Sequence, residues 1–324
     1  MKKIIYITRK IDNTGIKFLR KYYKVIIPES YFSPSKQEIL NNVENVDAII
    51  CTLSEIIDSD IMDRAGNNLK VISTYSTGYD HIDVSEATKR NIFVANTGNI
   101  LSEATADLTL LLILSVGRRI IEGSDYIKLN KWRHGWLPNL LLGSNIYGMN
   151  LGILGLGDIG RAVARRANGF NMKIYYHNRK RLSAYMEKKL NVKYVEFDEI
   201  LKISDFLSIH LSLNKESFHI IDRQQLQKMK PTSYIINTSR GQVINQKSLI
   251  MALKKKWISG AGLDVYEKEP LSKSNPLVKM NNVITLPHLG SATIQTRSKM
   301  SETVALNVHN VFMNKKPLFL VNEV

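Results

Sequence analysis

Short runs of apolar, β-branched residues alternate with helical patterns along most of the chain, and this alternation limits the folds open to it. Strands separated by helices predict βαβ units and parallel sheets. Runs that are apolar at every position suit parallel strands covered by helices on both faces. The predicted strands form a first series, 4–7, 24–27, 48–51 and 71–73, and a second series, 150–154, 173–177, 206–209, 234–237, 260–263 and 283–286. We therefore expect an α/β protein with two doubly wound, parallel-sheet domains.

The lengths of the segments support two domains. A chain of 324 residues has room for about two domains of ordinary size. The first series of strands ends near residue 98, where a long helix is predicted with Ser102 as its N-cap and Thr105 in its first turn. An amphipathic helix is also predicted over 291–313, after the last strand. That helix would pack back on the first domain.

Composition and cysteine content indicate a soluble protein of a reducing compartment. Apolar residues make up 44% of the chain and charged residues 23%, which is ordinary for globular proteins. The single cysteine, Cys51, lies in an apolar run and is predicted to be a small buried core residue. The longest apolar stretch, 108–117, is shorter than the ~20 residues that span a membrane. No segment resembles a signal peptide, so we expect a cytoplasmic protein without membrane association.

The formal net charge of +16 raises the question of an anionic partner. A strongly basic protein can bind nucleic acid or membranes. Here the basic residues are scattered, and the longest clusters are 179–181 and 254–256. No nucleic-acid-binding motif accompanies them. A solvated surface is therefore the favoured interpretation, and nucleic-acid binding is the weaker alternative.

A glycine-rich turn follows the predicted strand 150–154. Gly155, Gly157 and Gly160 have the G-x-G-x-x-G spacing and precede a predicted helix. In a dinucleotide-binding turn the first glycine permits the tight bend, the second lets the backbone approach a pyrophosphate, and the third lets helix and strand pack closely. The helix N-terminus adds a partial positive charge. This context predicts dinucleotide binding.

The end of the next strand bears on which dinucleotide is bound. An acidic residue about 20 residues past the glycines would bind the ribose 2′-hydroxyl of NAD. Asn178 stands there instead, and Arg179 and Lys180 follow it. These cations are suited to a 2′-phosphate. We predict a preference for NADP(H), with NAD(H) as a second cofactor; the alternative is that the basic cluster is only a solvated loop.

Three side chains suited to carbonyl chemistry follow three successive predicted strands. They are Arg240, Glu269 and His288. The carboxyl ends of strands are where open α/β sheets bind ligands. Histidine can protonate a carbonyl oxygen while hydride reaches the carbon, a neighbouring carboxylate favours the charged imidazole, and arginine can hold a carboxylate. Taken one at a time, each of these residues is more often structural.

Several segments together resemble the D-isomer-specific 2-hydroxyacid dehydrogenase family, and most closely its glyoxylate/hydroxypyruvate reductase branch. The resemblance covers nearly the whole chain. The segments that carry it are 76–83, 103–107, 152–164, 237–241, 262–266 and 287–293. It implies two Rossmann-like domains with a cleft between them: a discontinuous, flavodoxin-like substrate domain over 1–98 and 291–324, and an NAD(P)-binding domain over 99–290. It also implies a homodimer formed through the nucleotide domain.

The resemblance implies roles for individual residues. Arg240, Glu269 and His288 match the family's catalytic residues. The implied substrate-binding residues are Leu53, Thr77, Gly78, Trp136, Arg240 and His288. The backbone amides of Thr77 and Gly78 would hold the substrate carboxylate, Leu53 would line the pocket, and Trp136 would reach the partner's active site. The expected cofactor-binding residues are Thr105, Gly155, Gly157, Asp158, Ile159, Gly160, Asn178, Arg179, Lys180, Thr238, Ser239, Arg240, Asp264, His288 and Gly290. Thr105 would contact a phosphate, Asp264 would lie near the nicotinamide carboxamide, and no metal is expected.

The sequence therefore predicts an oxidoreductase that reduces glyoxylate or hydroxypyruvate to the D-2-hydroxy acid, with His288 as proton donor. Two alternatives stay open. The substrate could be a larger 2-oxo acid, such as 2-ketogluconate, a phenylpyruvate-type acid or phosphohydroxypyruvate. The chain could also be a nucleotide-gated binding module like the family's corepressors, although Leu53 and Trp136 argue against that.

Overall fold

The computed structural model describes residues 2–324, which divide into two compact α/β units. The first unit consists of the residues up to Leu101 together with Ser291–Val324, and the second is Ser102–Gly290. Strands and helices are numbered along the chain. Each unit has a single sheet in which every neighbouring pair of strands is parallel.

The sheet of the first unit has five strands. They are β1 (Ile4–Ile7), β2 (Lys24–Ile26), β3 (Ala48–Cys51), β4 (Val71–Thr74) and β5 (Phe93–Ala95). Their order across the sheet is β2-β1-β3-β4-β5. This is the flavodoxin-like order of a doubly wound sheet, in which the chain reverses direction of winding between the first and third strands.

Five helices cover this sheet. They are α1 (Asn13–Tyr22), α2 (Lys36–Asn42), α3 (Ser59–Ala65), α4 (Val84–Lys89) and α12 (Ile294–Phe312). The residue before each helix accepts a hydrogen bond from a first-turn N–H group through its side chain; these N-caps are Asp12, Ser35, Asp58, Asp83 and Thr293. Short polar N-caps of this kind satisfy donors that have no partner inside the helix. The local sequence therefore specifies where each helix starts.

The C-terminal helix α12 belongs to the first unit because it packs closely on α1. Gly15 donates its backbone N–H to Ser301 Oγ at 3.0 Å, and Ser301 Oγ donates to the carbonyl of Asp12 at 2.6 Å. A Cβ at Gly15 would lie 2.0 Å from the Ser301 carbonyl oxygen. Only glycine allows the two helix backbones to approach this closely.

The sheet of the second unit has seven strands. They are β6 (Asn150–Leu154), β7 (Lys173–His177), β8 (Val192–Tyr194), β9 (Phe206–Ile209), β10 (Tyr234–Asn237), β11 (Gly260–Leu263) and β12 (Val283–Thr285). Their order is β12-β11-β10-β9-β6-β7-β8. Counted from β6, this is the 3-2-1-4-5-6 order of a dinucleotide-binding fold with a seventh strand added at one edge. The switch point lies between β6 and β9.

Helices cover both faces of this second sheet. They are α5 (Ser102–Gly117), α7 (Asp158–Asn168), α8 (Ala184–Leu190), α9 (Phe197–Ile203), α10 (Arg223–Lys228) and α11 (Gln246–Lys254). A further helix, α6 (Ile120–Lys128), packs on α5 and has no buried residue. Neighbouring residues Ile235 and Ile236 of β10 belong to different buried clusters, on opposite faces of the sheet. This explains why the strand is apolar at consecutive positions rather than at alternate ones.

The predicted fold class, two doubly wound domains with parallel sheets, is confirmed. Cys51 is fully buried, as predicted for a core residue. Helix α5 starts at Ser102 itself, so the prediction of Ser102 as the N-cap was wrong by one residue, although Thr105 does lie in the first turn. Strands β5 and β8 have only three residues each, and we did not predict them. Among residues 2–324, no helix combines the length and the apolar character needed to cross a membrane.

The close approach of α1 and α12 generates a stability prediction. Gly15→Ala should lower the free energy of unfolding by about 1–3 kcal/mol, because the added methyl group collides with backbone rather than with a flexible side chain. Gly123→Ala in α6 is the matched control, since a Cβ there meets no atom within 4 Å and alanine favours the helix. Urea denaturation followed by circular dichroism measures both. Equal stability of the two variants would contradict this account of the helix contact.

Candidate active site

The carboxyl ends of the strands in the second unit gather the candidate residues at one edge of the sheet. Parallel strands end at the same edge, so the segments that follow them become neighbours. The residues that follow β6, β7, β9, β10, β11 and β12 within three positions include Gly155, Asn178, His210, Arg240, Asp264 and His288. Five of these six are residues that we predicted for the site from sequence, and His210 is the exception.

Glu269 and His288 form a hydrogen-bonded pair. Glu269 Oε2 lies 2.8 Å from His288 Nδ1, and Glu269 Oε1 accepts the backbone N–H of Tyr266 at 3.1 Å. Burial alone would raise the pKa of Glu269, but the hydrogen bond and the charge of His288 outweigh it and lower that pKa below its usual value. Glu269 is therefore ionised, and it accepts a hydrogen bond from the N–H group at Nδ1 of His288. This leaves Nε2 of His288 available for chemistry.

The turn that carries His288 is held by Asp264. The carboxylate of Asp264 is fully buried and accepts the backbone N–H of Leu289 at 2.6 Å and that of Gly290 at 2.8 Å. The backbone N–H of His288 donates to the Asp264 carbonyl at 3.0 Å. His288 has a φ of +56°, a left-handed conformation that is uncommon for residues other than glycine. Asp264 thus accepts three backbone hydrogen bonds, and these bonds fix the turn that carries His288.

Arg240 lies close enough to Glu269 for its charge to contribute to the lowered pKa of that carboxylate. The carbonyl of Arg240 accepts Asn237 Nδ2 at 2.9 Å, and its Nη1 donates to the Ser239 carbonyl at 3.0 Å. A Cβ at the next residue, Gly241, would lie 1.8 Å from the Tyr266 carbonyl carbon. Glycine therefore brings the segment after β10 against the segment after β11, and this places the guanidinium beside the Glu269–His288 pair.

The threonines predicted for the cofactor lie in one buried group. Thr238 Oγ1 lies 2.9 Å from Thr109 Oγ1, and Thr109 Oγ1 donates to the Thr105 carbonyl at 2.8 Å. A Cβ at Gly290 would lie 3.3 Å from Thr105 Oγ1. Thr105, Thr238 and Gly290 therefore surround a common region of the second unit. Ser239 turns instead toward its own loop, where its Oγ donates to Asn237 Oδ1 at 2.9 Å.

The glycine turn has the shape that a dinucleotide requires. Gly155 has a φ of +92°, and a Cβ there would lie 2.6 Å from the His210 carbonyl oxygen. A Cβ at Gly160 would lie 2.3 Å from the Gly155 carbonyl oxygen, so the helix packs directly on the turn. Gly157 precedes α7, makes no side-chain cap, and has no atom within 4 Å of its Cβ position. The N-terminus of α7, where Asp158 and Ile159 are the first residues, is thus open beside Gly157, as the approach of an anion to a helix N-terminus requires.

Asn178 occupies the position expected for the ribose-binding acid. Its Oδ1 accepts the backbone N–H of Leu156, in the glycine turn, at 2.6 Å. With Oδ1 engaged, the remaining polar group of the side chain is the Nδ2 amide, a donor. A donor at this position can serve a ribose hydroxyl or a phosphate oxygen, and it does not repel a phosphate as a carboxylate would.

Arg179 and Lys180 line a cavity of about 490 Å³ beside the glycine turn. Arg179 Nη1 makes an ion pair of 2.5 Å with Glu216 Oε2, on the loop that follows β9. Sequence reasoning missed Glu216, because nothing in the local pattern pairs a residue with another 37 positions earlier. The cavity is further lined by Leu154, Gly155, His177, Asn178, Phe197, His210, Leu211, Ser212, Asn214, Ser217 and Ile220.

His210 is another lining residue that we did not predict. Its Nε2 lies 2.8 Å from Ser208 Oγ, and its buried Nδ1 has no hydrogen-bond partner within residues 2–324. Burial lowers the pKa of His210 to about 3, so the ring is neutral. A signal existed in the sequence, since His210 directly follows a predicted strand, as the other site residues do.

The remaining predicted substrate residues lie in the first unit. Leu53 follows β3 and is half-buried, and the preceding Thr52 donates its backbone N–H to the buried Glu55 carboxylate at 2.7 Å. Thr77 and Gly78 follow β4 and are also half-buried. Both segments are therefore at the carboxyl edge of the first sheet.

Trp136 lies in the segment between α6 and β6, where it is 83% exposed. It is one of several exposed apolar side chains in this part of the second unit; the others include Ile120, Ile121, Ile127, Leu129, Trp132, Leu137 and Leu142. All of these exposed apolar side chains lie within residues 120–142. Among residues 2–324, no cluster of three or more His, Cys, Asp or Glu side chains has the arrangement needed to hold a metal ion.

Comparison with known proteins identifies the family. Residues 110–290 match the model of the D-isomer specific 2-hydroxyacid dehydrogenase NAD-binding domain. The chain is 42% identical to a glyoxylate reductase of Korarchaeum cryptofilum, over 100% of this chain and 97% of that protein. The structure of a glyoxylate reductase from Paecilomyes thermophila is similar, with 32% identity and a TM-score of 0.88, covering 99% of this chain and 98% of that one.

A further solved structure bears on the cofactor. An NADPH-dependent glyoxylate/hydroxypyruvate reductase from Sinorhizobium meliloti, in complex with NADP and malonate, matches with a TM-score of 0.87 and 28% identity. The match covers 99% of this chain and 97% of that one. The chain therefore belongs to the D-isomer specific 2-hydroxyacid dehydrogenase family, and it is an oxidoreductase with a domain that binds a nicotinamide dinucleotide.

Proposed function

We propose that this chain reduces glyoxylate or hydroxypyruvate to the corresponding D-2-hydroxy acid, with NADPH as the preferred cofactor and NADH as a second one. The observation that carries the proposal is the Glu269–His288 pair, with 2.8 Å between Oε2 and Nδ1, beside Arg240. The glyoxylate reductases among its relatives and structural neighbours support the choice of substrate.

His288 is the proton donor in this proposal. The ionised Glu269 at Nδ1 stabilises the positively charged imidazole, and Nε2 then gives its proton to the carbonyl oxygen. A nicotinamide cofactor, when bound, would supply the hydride for the carbonyl carbon. The imidazole is left neutral, and it regains a proton from solvent after the hydroxy acid leaves. Glu269 keeps its charge throughout, because its pKa is lowered.

Arg240 and the backbone amides of Thr77 and Gly78 bind the carboxylate of the substrate in this proposal. A guanidinium offers two parallel donors to a carboxylate and can also polarise the adjacent carbonyl. Leu53 limits the size of the substrate. We further propose a homodimer formed through the exposed apolar surface around Trp136, which brings that tryptophan to the partner's active site.

The preference for NADPH is proposed from Asn178, Arg179 and Lys180. Asn178 presents an amide where NAD-specific proteins carry an acid, and Arg179 and Lys180 line the adjacent cavity. The ion pair of Arg179 with Glu216 limits this preference, because a 2′-phosphate must compete with a carboxylate for the same guanidinium. We therefore propose that NADPH is preferred but that NADH is also used.

The first test is the oxidation of NADPH and NADH with glyoxylate, hydroxypyruvate, pyruvate and 2-ketogluconate, in the wild type and in His288→Ala. We expect fast turnover of glyoxylate or hydroxypyruvate, and a fall in kcat of roughly 10²–10⁴-fold in the variant, with a much smaller effect on cofactor binding. Turnover of larger acids alone would keep the mechanism and correct the pocket. An unaffected kcat in His288→Ala would refute the proton-donor assignment, and tight cofactor binding without any turnover would favour a binding module.

The pKa of Glu269 predicts the pH profile of reduction. Because that pKa lies below the usual value, Glu269 stays ionised, and kcat/KM should stay constant as the pH falls from neutral to about 5. Glu269→Gln should reduce kcat/KM at neutral pH at least about tenfold, with Glu269→Asp as the charge-conserving control. A decline of kcat/KM on the acid side with a midpoint near neutrality would contradict the pairing.

The Arg179–Glu216 pair predicts opposite effects of two variants on the cofactor. Arg179→Ala should raise the dissociation constant of NADPH about tenfold or more and leave that of NADH within about twofold, because only the 2′-phosphate needs the guanidinium. Glu216→Gln should tighten NADPH binding, because it releases Arg179 and removes a negative charge. Fluorescence titration with each reduced nucleotide measures both constants. Equal changes in the dissociation constants of NADPH and NADH would show that Arg179 does not bind the 2′-phosphate.

A further inference from the structure

Three consecutive carbonyl groups in the segment after β4 are engaged from inside the first unit. The carbonyl of Ser76 accepts the backbone N–H of Thr97 at 3.0 Å. The carbonyl of Thr77 accepts Asn96 Nδ2 at 2.7 Å, and the carbonyl of Gly78 accepts Ser76 Oγ at 2.6 Å. Three consecutive carbonyls are thus turned toward the protein.

This pattern determines where the amides point. In a trans peptide the carbonyl of one residue and the N–H of the next are coplanar and point in opposite directions. Holding the Ser76 carbonyl therefore orients the N–H of Thr77, and holding the Thr77 carbonyl orients the N–H of Gly78. Within residues 2–324, neither of these two N–H groups has an acceptor, and both residues are only half-buried. Because both carbonyls face residues 96 and 97, both N–H groups face away from that segment, and successive N–H groups exposed in this way attract anions.

Asn96 is the side chain that holds the Thr77 carbonyl, and it is itself fixed by its surroundings. Its Oδ1 accepts the backbone N–H of Gly98 at 2.9 Å, and its carbonyl accepts Asn307 Nδ2 at 2.8 Å. Its backbone N–H donates to the Phe319 carbonyl at 3.1 Å. Both Oδ1 and Nδ2 of the side chain therefore make hydrogen bonds, and these two bonds fix the orientation of the amide group.

We propose that Asn96 is a positioning residue for the carboxylate of the substrate, acting through the Thr77–Gly78 peptide. The inference rests on the proposed function, in which those amides bind that carboxylate. The Asn96 donor orients the peptide plane, and by polarising its carbonyl it strengthens the N–H on the opposite side as a donor. An anionic 2-oxo acid thus meets amides that are already aligned, without a reorganisation cost.

Asn96→Asp is the decisive variant because it changes only one of the two side-chain bonds. An aspartate keeps the oxygen that accepts Gly98 N–H but puts a second oxygen against the Thr77 carbonyl, which repels it. We expect the KM for glyoxylate to rise about tenfold or more, with a smaller change in kcat. The dissociation constant of oxalate, a dicarboxylate without a reducible carbonyl, should rise by a similar factor in calorimetric titrations. The affinity for NADPH should not change.

Asn322→Asp is the matched control. Asn322 is a buried asparagine that bonds to β5, the strand that Asn96 directly follows. Its Oδ1 accepts Val94 N–H at 2.7 Å, and its Nδ2 donates to the Ile92 carbonyl at 3.0 Å. It makes no hydrogen bond to residues 76–79 in the part of the chain described. This variant also loses buried donors, so it should lower the melting temperature as Asn96→Asp does but leave the KM and the oxalate affinity unchanged.

The outcomes separate this inference from the proposed function. If wild type reduces glyoxylate and Asn96→Asp matches it in KM and oxalate affinity, the inference is overturned and the function stands. The same holds if both asparagine variants lose oxalate affinity equally, since that indicates a general structural role. If wild type reduces no 2-oxo acid but binds oxalate, and only Asn96→Asp loses that binding, the inference stands and the function fails. If wild type neither turns over nor binds oxalate, both are overturned.

Discussion

Parallel pairing of strands is the constraint on which both units depend. In each sheet, every strand runs in the same direction, so every segment that follows a strand emerges at the same edge. Residues that are distant in sequence become neighbours for this reason alone. Arg240, Asp264 and His288 follow three adjacent strands, β10, β11 and β12, and the chemistry of the site follows from that adjacency. The glycine turn after β6 lies at the switch point of the same sheet, where the winding reverses and leaves room for a ligand.

Much of this arrangement was predictable, because the signals are local. Consecutive buried residues such as Ile235 and Ile236 identify a strand covered on both faces, and the glycine spacing identifies a turn followed by a helix. The residue types at strand ends indicated Arg240, Glu269 and His288 before any geometry was known, and the structure joins two of them by a hydrogen bond. Two of the four three-residue strands, β5 and β8, were not predicted. Three residues such as Val192–Tyr194 show too little periodicity, and pairing with β7 is what makes them a strand.

The contacts that refine the site could not be predicted, because they join residues far apart in the chain through loops. The pairing of Arg179 with Glu216 depends on how the loop after β9 returns toward the end of β7, and no spacing rule encodes that. The bond from Asn96 to the Thr77 carbonyl likewise depends on the register of β4 and β5, which brings Ser73 opposite Ala95 and so places the following segments side by side. In both cases the residues proposed to bind a ligand were predicted from their type, whereas their hydrogen-bond partners Glu216 and Asn96 are found only in the three-dimensional structure.

Asp264 and Glu269 show how one site assigns two carboxylates to different tasks. Burial raises the pKa of Asp264 despite its two backbone hydrogen bonds, and the hydrogen bond and charge of His288 lower the pKa of Glu269 despite its burial. Asp264 has no direct bond to the imidazole; both its oxygens accept N–H groups of residues 289 and 290. A buried carboxylate costs stability unless its hydrogen bonds compensate for lost hydration. Here those bonds hold His288 at a positive φ, a backbone conformation that a histidine would otherwise avoid. Asp264 therefore holds the backbone of the turn that carries His288, and Glu269 holds the imidazole ring through Nδ1, so two different carboxylates fix the backbone and the side chain of one residue.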